Sequence, residues 1–467
     1  MNYNSTAIKD ILNLTDDDCE VTDFHIEGHT KYVTIEKTKL LNYCPICGSR
    51  LHSKGRLVRH PNNPILQDGY DLDITLIGRR WNCSNVNCNY SYTDQYSFIE
   101  PGKKNTKLVP LMIINDMKDI HLTCREVAAR YNVSDTYVHE IFEEYVSLPR
   151  LPLTEIISID EVYLNIGPKQ KYAVVIMDFV TGEILDIVPS RLKEQMHSYW
   201  MSIPKKERDG VKYIISDMYN PYINYASTYF KNAVSIVDSF HVIKWLLSYI
   251  NRYINEVKKK YQERDKKELE ERNYRNNRDF ETQKTSREVY ILNNGKWVLL
   301  MNPNNIKYLP RHYNRFLKQY LDTYDWTKIF LELDSKFPRI LELKQIYENF
   351  NGNYVNDLDE ASKRLDEIID IYKNCEISFF KSFSNLLTRY HKEIINSFTY
   401  VSGDSHTKYG ERLRRLSNGP MEGFNNIPSS LRSNSRGIDD FEFARNRILW
   451  SQREYTPIQG VPKKKTK

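Results

Sequence analysis

The chain has 467 residues, with 67 Lys and Arg against 61 Asp and Glu, a net charge of +6. That length exceeds what one hydrophobic core serves and implies several domains; a content of 40% hydrophobic and 27% charged residues is ordinary for a globular protein. No apolar run reaches the roughly 20 residues of a membrane span, and the polar opening Met1-Asn2-Tyr3-Asn4 does not read as a signal peptide, so a cytoplasmic protein with no membrane partner is expected.

A short helical patch at Ala7–Leu14 and a strand-like stretch at Val21–Glu36 open the chain. Four of the seven cysteines then crowd together: Cys44-Pro45-Ile46-Cys47-Gly48 is a tight knuckle, and Cys83 and Cys88 form a second, wider pair. In a reduced compartment such clustering points to metal rather than disulfides, and four thiolates suit a closed tetrahedral zinc site that folds a module too small for its own core. His52 and His60 are the nearest substitute ligands. The bland alternative is four reduced, buried thiols. Between the pairs, Tyr70–Leu76 and Arg79–Cys83 alternate polar and apolar residues as two strands would. Pro101-Gly102-Lys103-Lys104-Asn105 reads as a linker.

From Leu108 to Val146 the pattern is helical, broken at Asn132-Val133-Ser134. Thr123 followed by Glu126 is a capping-box pattern, and Ser134 or Asp135 would cap a second helix. The pair suggests a helix-turn-helix, whose second helix would turn Asp135, Thr136, Tyr137 and His139 toward DNA. A three-helix packing motif without DNA is the alternative.

After Pro149–Pro152 strands begin, at Ile156–Asp160, Tyr172–Asp178 and Ile184–Val188. A helix near Lys193–Met201 and strands at Val211–Asp217 and Ala233–Asp238 follow. Ile156–Asp160 and Tyr213–Asp217 are both apolar, β-branched runs that stop on an aspartate. An acid at the end of a buried strand is held rigidly where charge is costly, and two of them on neighbouring strands could share a hard divalent cation, as metal-assisted phosphoryl transfer requires. Beyond Phe240 the chain is long, charged and helix-like to about residue 415, with Lys258–Asp279 as a solvated helical face. Ser417-Asn418-Gly419-Pro420-Met421-Glu422-Gly423-Phe424-Asn425-Asn426 then supplies a third carboxylate. Ser417 or Asn418 would cap a helix carrying Glu422 in its first turn and ending before Pro428. Arg412, Arg414, Arg415, Arg432 and Arg436 flank it as candidate phosphate contacts.

These motifs together resemble the bacterial insertion-sequence transposases of the ISL-three family. Ser158–Glu161, Ser216–Tyr219, Val237–Val242 and Ser417–Asn426 carry the resemblance, alongside the cysteine cluster Cys44/Cys47/Cys83/Cys88 and the helical pair at 123–145. It implies a multidomain α/β protein with an RNase H-like catalytic core, a large helical insertion, a zinc module and a helix-turn-helix. The implied partition is 1–100 for the zinc-binding module, 101–150 for the helix-turn-helix, 151–245 and 411–455 for the two parts of the core, 246–410 for the insertion and 456–467 for a basic tail. The implied triad is Asp160, Asp217 and Glu422. Asp238 and His241 match an Asp-x-x-His signature of related transposases and are auxiliary candidates.

The expected activity is cleavage at the terminal inverted repeats of an insertion sequence and joining of the freed 3′-hydroxyl to target DNA. Two Mg²⁺ ions, replaceable by Mn²⁺, would sit on the triad, with structural Zn²⁺ on the four cysteines and a homodimer or larger assembly pairing the two ends. The rival expectations are an RNase H-like nuclease that does not join, and a non-catalytic DNA-binding regulator derived from a transposase.

Overall fold

A computed structural model describes residues 9, 16–62, 70–100, 102–166, 170–276, 285–353, 357–403, 410–434 and 440–453. Apart from Lys9, the helical patch expected at Ala7–Leu14 lies outside the described residues, as do Arg436 and the basic tail. Contacts divide the chain into two units. One comprises Met1–Pro149, Tyr163–Lys171 and Asn426–Lys467, the other Arg150–Val162 and Tyr172–Asn425. No helix among the described residues is long and apolar enough to cross a membrane.

The first unit opens with a sheet. The stretch read as one strand at Val21–Glu36 is a hairpin, β1 (Cys19–Glu27) antiparallel to β2 (Thr30–Lys37), because Gly28 turns the chain at a φ of +57°, a left-handed conformation that glycine adopts at no steric cost. β3 (Leu51–Arg59) went unread, since Leu51-His52-Ser53-Lys54-Gly55-Arg56 has no apolar alternation and all but its ends are exposed. The two strands expected at Tyr70–Leu76 and Arg79–Cys83 are one, β4 (Asp71–Cys83). Gly78 does not break it. A Cβ there would lie 3.1 Å from Cβ of Asp94, so the glycine admits Asp94, whose carboxylate accepts hydrogen bonds from the Arg79 N–H and the Trp81 indole at 2.8 and 2.9 Å. β5 (Ser91–Thr93) pairs with β4, and the order is β1-β2-β4-β3.

Three helices follow, Leu108–Asp116, Cys124–Arg130 and Asp135–Tyr145. The expected capping box is present: the Thr123 hydroxyl accepts from the Glu126 N–H, and Glu126 accepts from the Thr123 N–H at 2.8 Å. The turn between the second and third helices uses Asn132 at φ +50°, and the Ser134 hydroxyl caps the third. Val127, Ala128, Val138, Ile141 and Phe142 are buried. The C-terminal helix Phe441–Gln452 belongs to this same unit: Phe443 stacks on His139 at 4.1 Å and meets Phe142 edge-on. Trp450 donates to the Ile114 carbonyl, and the buried Arg447 guanidinium donates to the carbonyls of Asp119 and Leu122. A buried cation demands such partners.

The second unit is built on a mixed sheet of β6 (Ile156–Ile166), β7 (Gln170–Asp178), β8 (Ile184–Val188), β9 (Tyr213–Ser216) and β10 (Val234–Val237), the distal end of the β6–β7 hairpin from Tyr163 to Lys171 being counted with the first unit. Its order is β10-β9-β6-β7-β8, with β6, β9 and β10 parallel and β7–β8 antiparallel. The chain does not stop its strand at Asp160, as the sequence suggested: β6 continues through it to Ile166. Val162, Leu164 and Ile166 extend a period-2 apolar face past the acid. Asp178 ties the β7–β8 turn by accepting from the N–H groups of Val180 and Thr181. Helices Lys193–Ser202 and Asn220–Tyr229 cover one face, where Trp200, Tyr222 and Phe230 pack on Ile157, Ile159 and Ile214.

Helices dominate from Ser239 onward, beginning with Ser239–Asn276 and including Phe337–Asn351, Leu358–Asn374 and Ser378–Arg389. They share one core of Ile250, Ile254, Phe330, Phe337, Leu365 and Phe380. Strands do not cease there, contrary to the sequence reading: His312–Asn314 pairs with Gln319–Leu321, and Tyr400–Ser402 with Leu413–Arg415. Three-residue strands are too short to leave a periodic signature. The helix carrying Glu422 spans Gly419–Phe424. It ends before Pro428, as expected; a further helix, Asn426–Asn434, follows and takes the proline in its first turn, where no N–H is needed.

Candidate functional site

Register brings three aspartates to one level. In the β6–β9 ladder Ser158 lies opposite Ile215, and in the β9–β10 ladder Ser216 lies opposite Val237. Two residues past Ser158 and Ile215 stand Asp160 and Asp217; one residue past Ser216 and Val237 stand Asp217 and Asp238. The Asp238 N–H donates to the Ser216 carbonyl at 2.9 Å, continuing the ladder. Three adjacent parallel strands thus end, or pass, with a carboxylate at the same height.

The Ser417–Asn426 motif brings the fourth. Asn418 caps the Gly419–Phe424 helix, is wholly buried, and donates its side-chain amide to the Ile159 carbonyl at 3.3 Å. Its backbone N–H faces the Asp238 carboxylate and opposes the rise of that acid's pKa. At the other end, Asn425 donates its amide to Asp160 Oδ2 at 3.0 Å. Buried Met421 and Phe424 anchor the apolar face of this short helix. Glu422 therefore projects from an element fastened at both ends to β6.

The electrostatics reflect this crowding. Burial raises the Asp217 carboxyl above its usual range; His241 and the Tyr219 N–H, which donates at 3.1 Å, oppose the shift, while Asp160 and Glu161 add to it. Glu422 is also raised by burial, with Asp238 and Asp160 pushing it further and His241 and Lys244 opposing. Asp238 is raised by burial against the pull of His241. Asp217 and Glu422 each feel other acids, the arrangement that a divalent cation relieves. Ligand atoms of Asp238, His241 and Glu422 lie within 4.8 Å of one another. Glu161, the neighbour of Asp160, is drawn aside: it accepts from Arg191 at 2.7 Å and from the Tyr222 hydroxyl at 2.8 Å.

In the first unit the four expected cysteines converge. Cys44 and Cys88 sulfurs are 3.8 Å apart, those of Cys47 and Cys83 3.4 Å, and all four lie within 4.8 Å. Four sulfurs about 2.3 Å from a tetrahedral Zn²⁺ stand roughly 3.8 Å apart, so the cluster fits that ion. Gly48 at φ +72° makes the knuckle, and its N–H reaches back to the Cys44 carbonyl. His52 and His60 do not belong to the cluster.

The remaining candidates are placed differently from one another. Asp135 and Thr136 are exposed at the start of helix Asp135–Tyr145 and Tyr137 is half-buried, whereas His139 stacks on Phe443. Arg412 is exposed. Arg414 donates to the carbonyls of Phe179 and Val180. Arg415 donates to the carbonyls of Ser397 and Asn351 and lies 4.0 Å over the Phe398 ring; burial lowers its pKa. These two guanidiniums knit the second unit together. Arg432 lies 4.9 Å over the Tyr163 ring.

A family model described as a transposase, of the ISL-three type, matches residues 157–448, well over half of the chain. The chain belongs to the ISL-three transposase family. No curated protein matches it significantly. The matched span of this transposase contains Asp160, Asp217, Asp238, His241 and Glu422 and starts after the cysteine cluster and the helical pair at 123–145. It is thus shorter than the nearly whole-chain resemblance read from the motifs. The transposase sequence marks Asn418 as a candidate cap, which it is, but not its bond to Ile159, and gives no sign of the role of Asn425; amides carry no charge pattern, and only their partners reveal what they hold.

Proposed function

We propose that this transposase performs DDE-type DNA strand cleavage and strand transfer, with Asp160, Asp217 and Glu422 as its catalytic carboxylates on an RNase H-like core. The single observation that carries the reading is the convergence of these acids. Asp160 and Asp217 stand level on adjacent parallel strands, and Glu422, from a distant part of the chain, feels the charge of Asp160 on a helix whose last turn holds Asp160 through Asn425. The strand order, with the first acid on the central strand and the second just past its parallel neighbour, supports the core assignment.

The donor set is all oxygen at these three positions, which suits Mg²⁺ or Mn²⁺. Bound there, two such ions supply Lewis-acid stabilisation of the charge on phosphorus and a lowered pKa for the attacking hydroxyl. The protein supplies position. Asn425 and the Glu161 N–H, at 3.0 and 2.8 Å, fix the two oxygens of Asp160; the Tyr219 N–H fixes Asp217; Asn418 and Asp238 set the helix of Glu422. Water attacks phosphorus in line and the 3′-oxygen leaves; that 3′-hydroxyl then attacks a target phosphate in the same way, so no covalent enzyme intermediate forms.

The cysteine cluster is proposed to hold structural Zn²⁺. Together with the helical pair at 123–145, through Asp135, Thr136 and Tyr137, it would bind the terminal inverted repeats, phosphate contacts setting register and base contacts specificity. Two ends must be brought together, so a homodimer or larger assembly on DNA is expected. The test is incubation of labelled element ends with Mg²⁺ and a target plasmid. Cleaved ends joined to the plasmid support the reading, and cleavage without joined product would instead support a nuclease. Alanine at Asp160, Asp217 or Glu422 abolishes both products while end binding persists.

A further inference from the structure

Asp238 is 1% exposed, yet its carboxylate is only half used. Its Oδ1 lies 3.4 Å from the Phe240 N–H at the start of helix Ser239–Asn276, and the Asn418 N–H faces the carboxylate. Its Oδ2 is buried and accepts no hydrogen bond. A buried carboxylate oxygen without a partner is costly, so a cation is expected where it points. What it faces is His241 Nε2, 3.9 Å away, too far for a hydrogen bond, and a carboxylate oxygen of Glu422. Ligand atoms about 2.1 Å from a common ion lie roughly 3.0–4.2 Å apart in tetrahedral or octahedral geometry. The spacing of Oδ2 and Nε2 is that of two ligands of one ion.

The backbone explains why these groups meet. Asp238 ends β10, and His241 lies three residues later, in the first turn of the helix that follows. The N–H of Asn418, which caps the Glu422 helix, faces the Asp238 carboxylate, so Glu422 projects from a helix that starts beside this acid.

We propose that Asp238, His241 and Glu422 form a mixed oxygen–nitrogen site for a divalent cation, adding one imidazole ligand to the carboxylate centre. The inference rests on the reading of Glu422 as a metal ligand. A neutral imidazole favours Mn²⁺ over Mg²⁺, since nitrogen donors follow the order of increasing affinity along the transition series while Mg²⁺ prefers oxygen. His241 is then bound through Nε2, which must be unprotonated.

The experiment uses the full chain, purified without a histidine tag and with its zinc retained, titrated with Mn²⁺ and examined by pulsed electron paramagnetic resonance. Bound Mn²⁺ should show coupling to an imidazole nitrogen. His241→Ala and His241→Gln should lose that coupling and weaken Mn²⁺ binding by about tenfold or more, while Asp160→Ala keeps it; unchanged melting temperatures of the zinc-loaded variants would exclude misfolding. Mn²⁺ bound without nitrogen coupling in the wild type, or with coupling that survives both His241 variants, overturns the histidine ligand and leaves the carboxylate reading intact. Absence of Mn²⁺ binding altogether overturns both.

Discussion

The side-chain amide of Asn425 donates to Asp160 Oδ2 across 3.0 Å, joining the last turn of the Glu422 helix to the central strand of the second unit. One hydrogen bond thus couples the positions of two acids that the sequence separates by most of the catalytic span. Removing it should leave the fold and DNA binding intact but loosen the geometry. Asn425→Ala is expected to lower cleavage roughly 10–100-fold, the range for partners that orient metal ligands. Single-turnover cleavage and end-binding assays separate the two effects; a variant that cleaves normally removes Asn425 from the positioning role.

Asp217 is raised by burial and by the nearby charges of Asp160 and Glu161. A carboxyl whose folded pKa exceeds its unfolded one makes the folded protein bind protons more readily, so ion-free stability should rise as pH falls through that raised value and be lower at neutral pH. Asp217→Asn removes the repulsion. In Mg²⁺-free buffer at neutral pH it should melt higher than the wild type, while Mg²⁺ or Mn²⁺ raises the melting temperature of the wild type more than that of the variant. Calorimetry with and without the ion tests both signs.

Zinc removal should act locally. Trp81 and Leu51 are buried with Cys44 against Cys83 and Cys88, so this corner has little apolar material of its own and would depend on the proposed zinc. Cys47→Ser is expected to abolish stoichiometric zinc, expose the 44–90 segment to protease and weaken end binding. Metal analysis of the purified protein showing no zinc would remove the proposal.

Arg447 is wholly buried and donates to the carbonyls of Asp119 and Leu122. Arg447→Ala leaves both carbonyls without that donor and opens a cavity, at a cost of about 3–5 kcal/mol. Denaturant unfolding of the first unit should show the loss; unfolding unchanged from the wild type would remove Arg447 from this role.

Much was legible from residue pattern. The strands holding the aspartates were read from β-branched runs, the Thr123 and Ser134 caps from local side-chain chemistry, and the cysteine cluster from spacing. Each is decided within a few residues of chain. The exceptions share a cause: β3 lacks alternation because most of it is exposed, and the three-residue ladders near residues 313 and 401 are too short for a period. Arg414 and Arg415 looked like phosphate contacts because a basic run reads alike whether solvated or buried; only their carbonyl partners distinguish the cases.

Local chemistry alone announces the residue types in play, four thiols, acids borne on apolar β-branched runs and a glutamate in a distinctive helix start, because caps, turns and hydrophobic period are local properties. Which of them meet is a matter of the folded chain. Parallel register set Asp160, Asp217 and Asp238 level, and two asparagines fastened Glu422 beside them. Those relationships depend on pairing and burial between segments far apart in the chain, which no local pattern encodes.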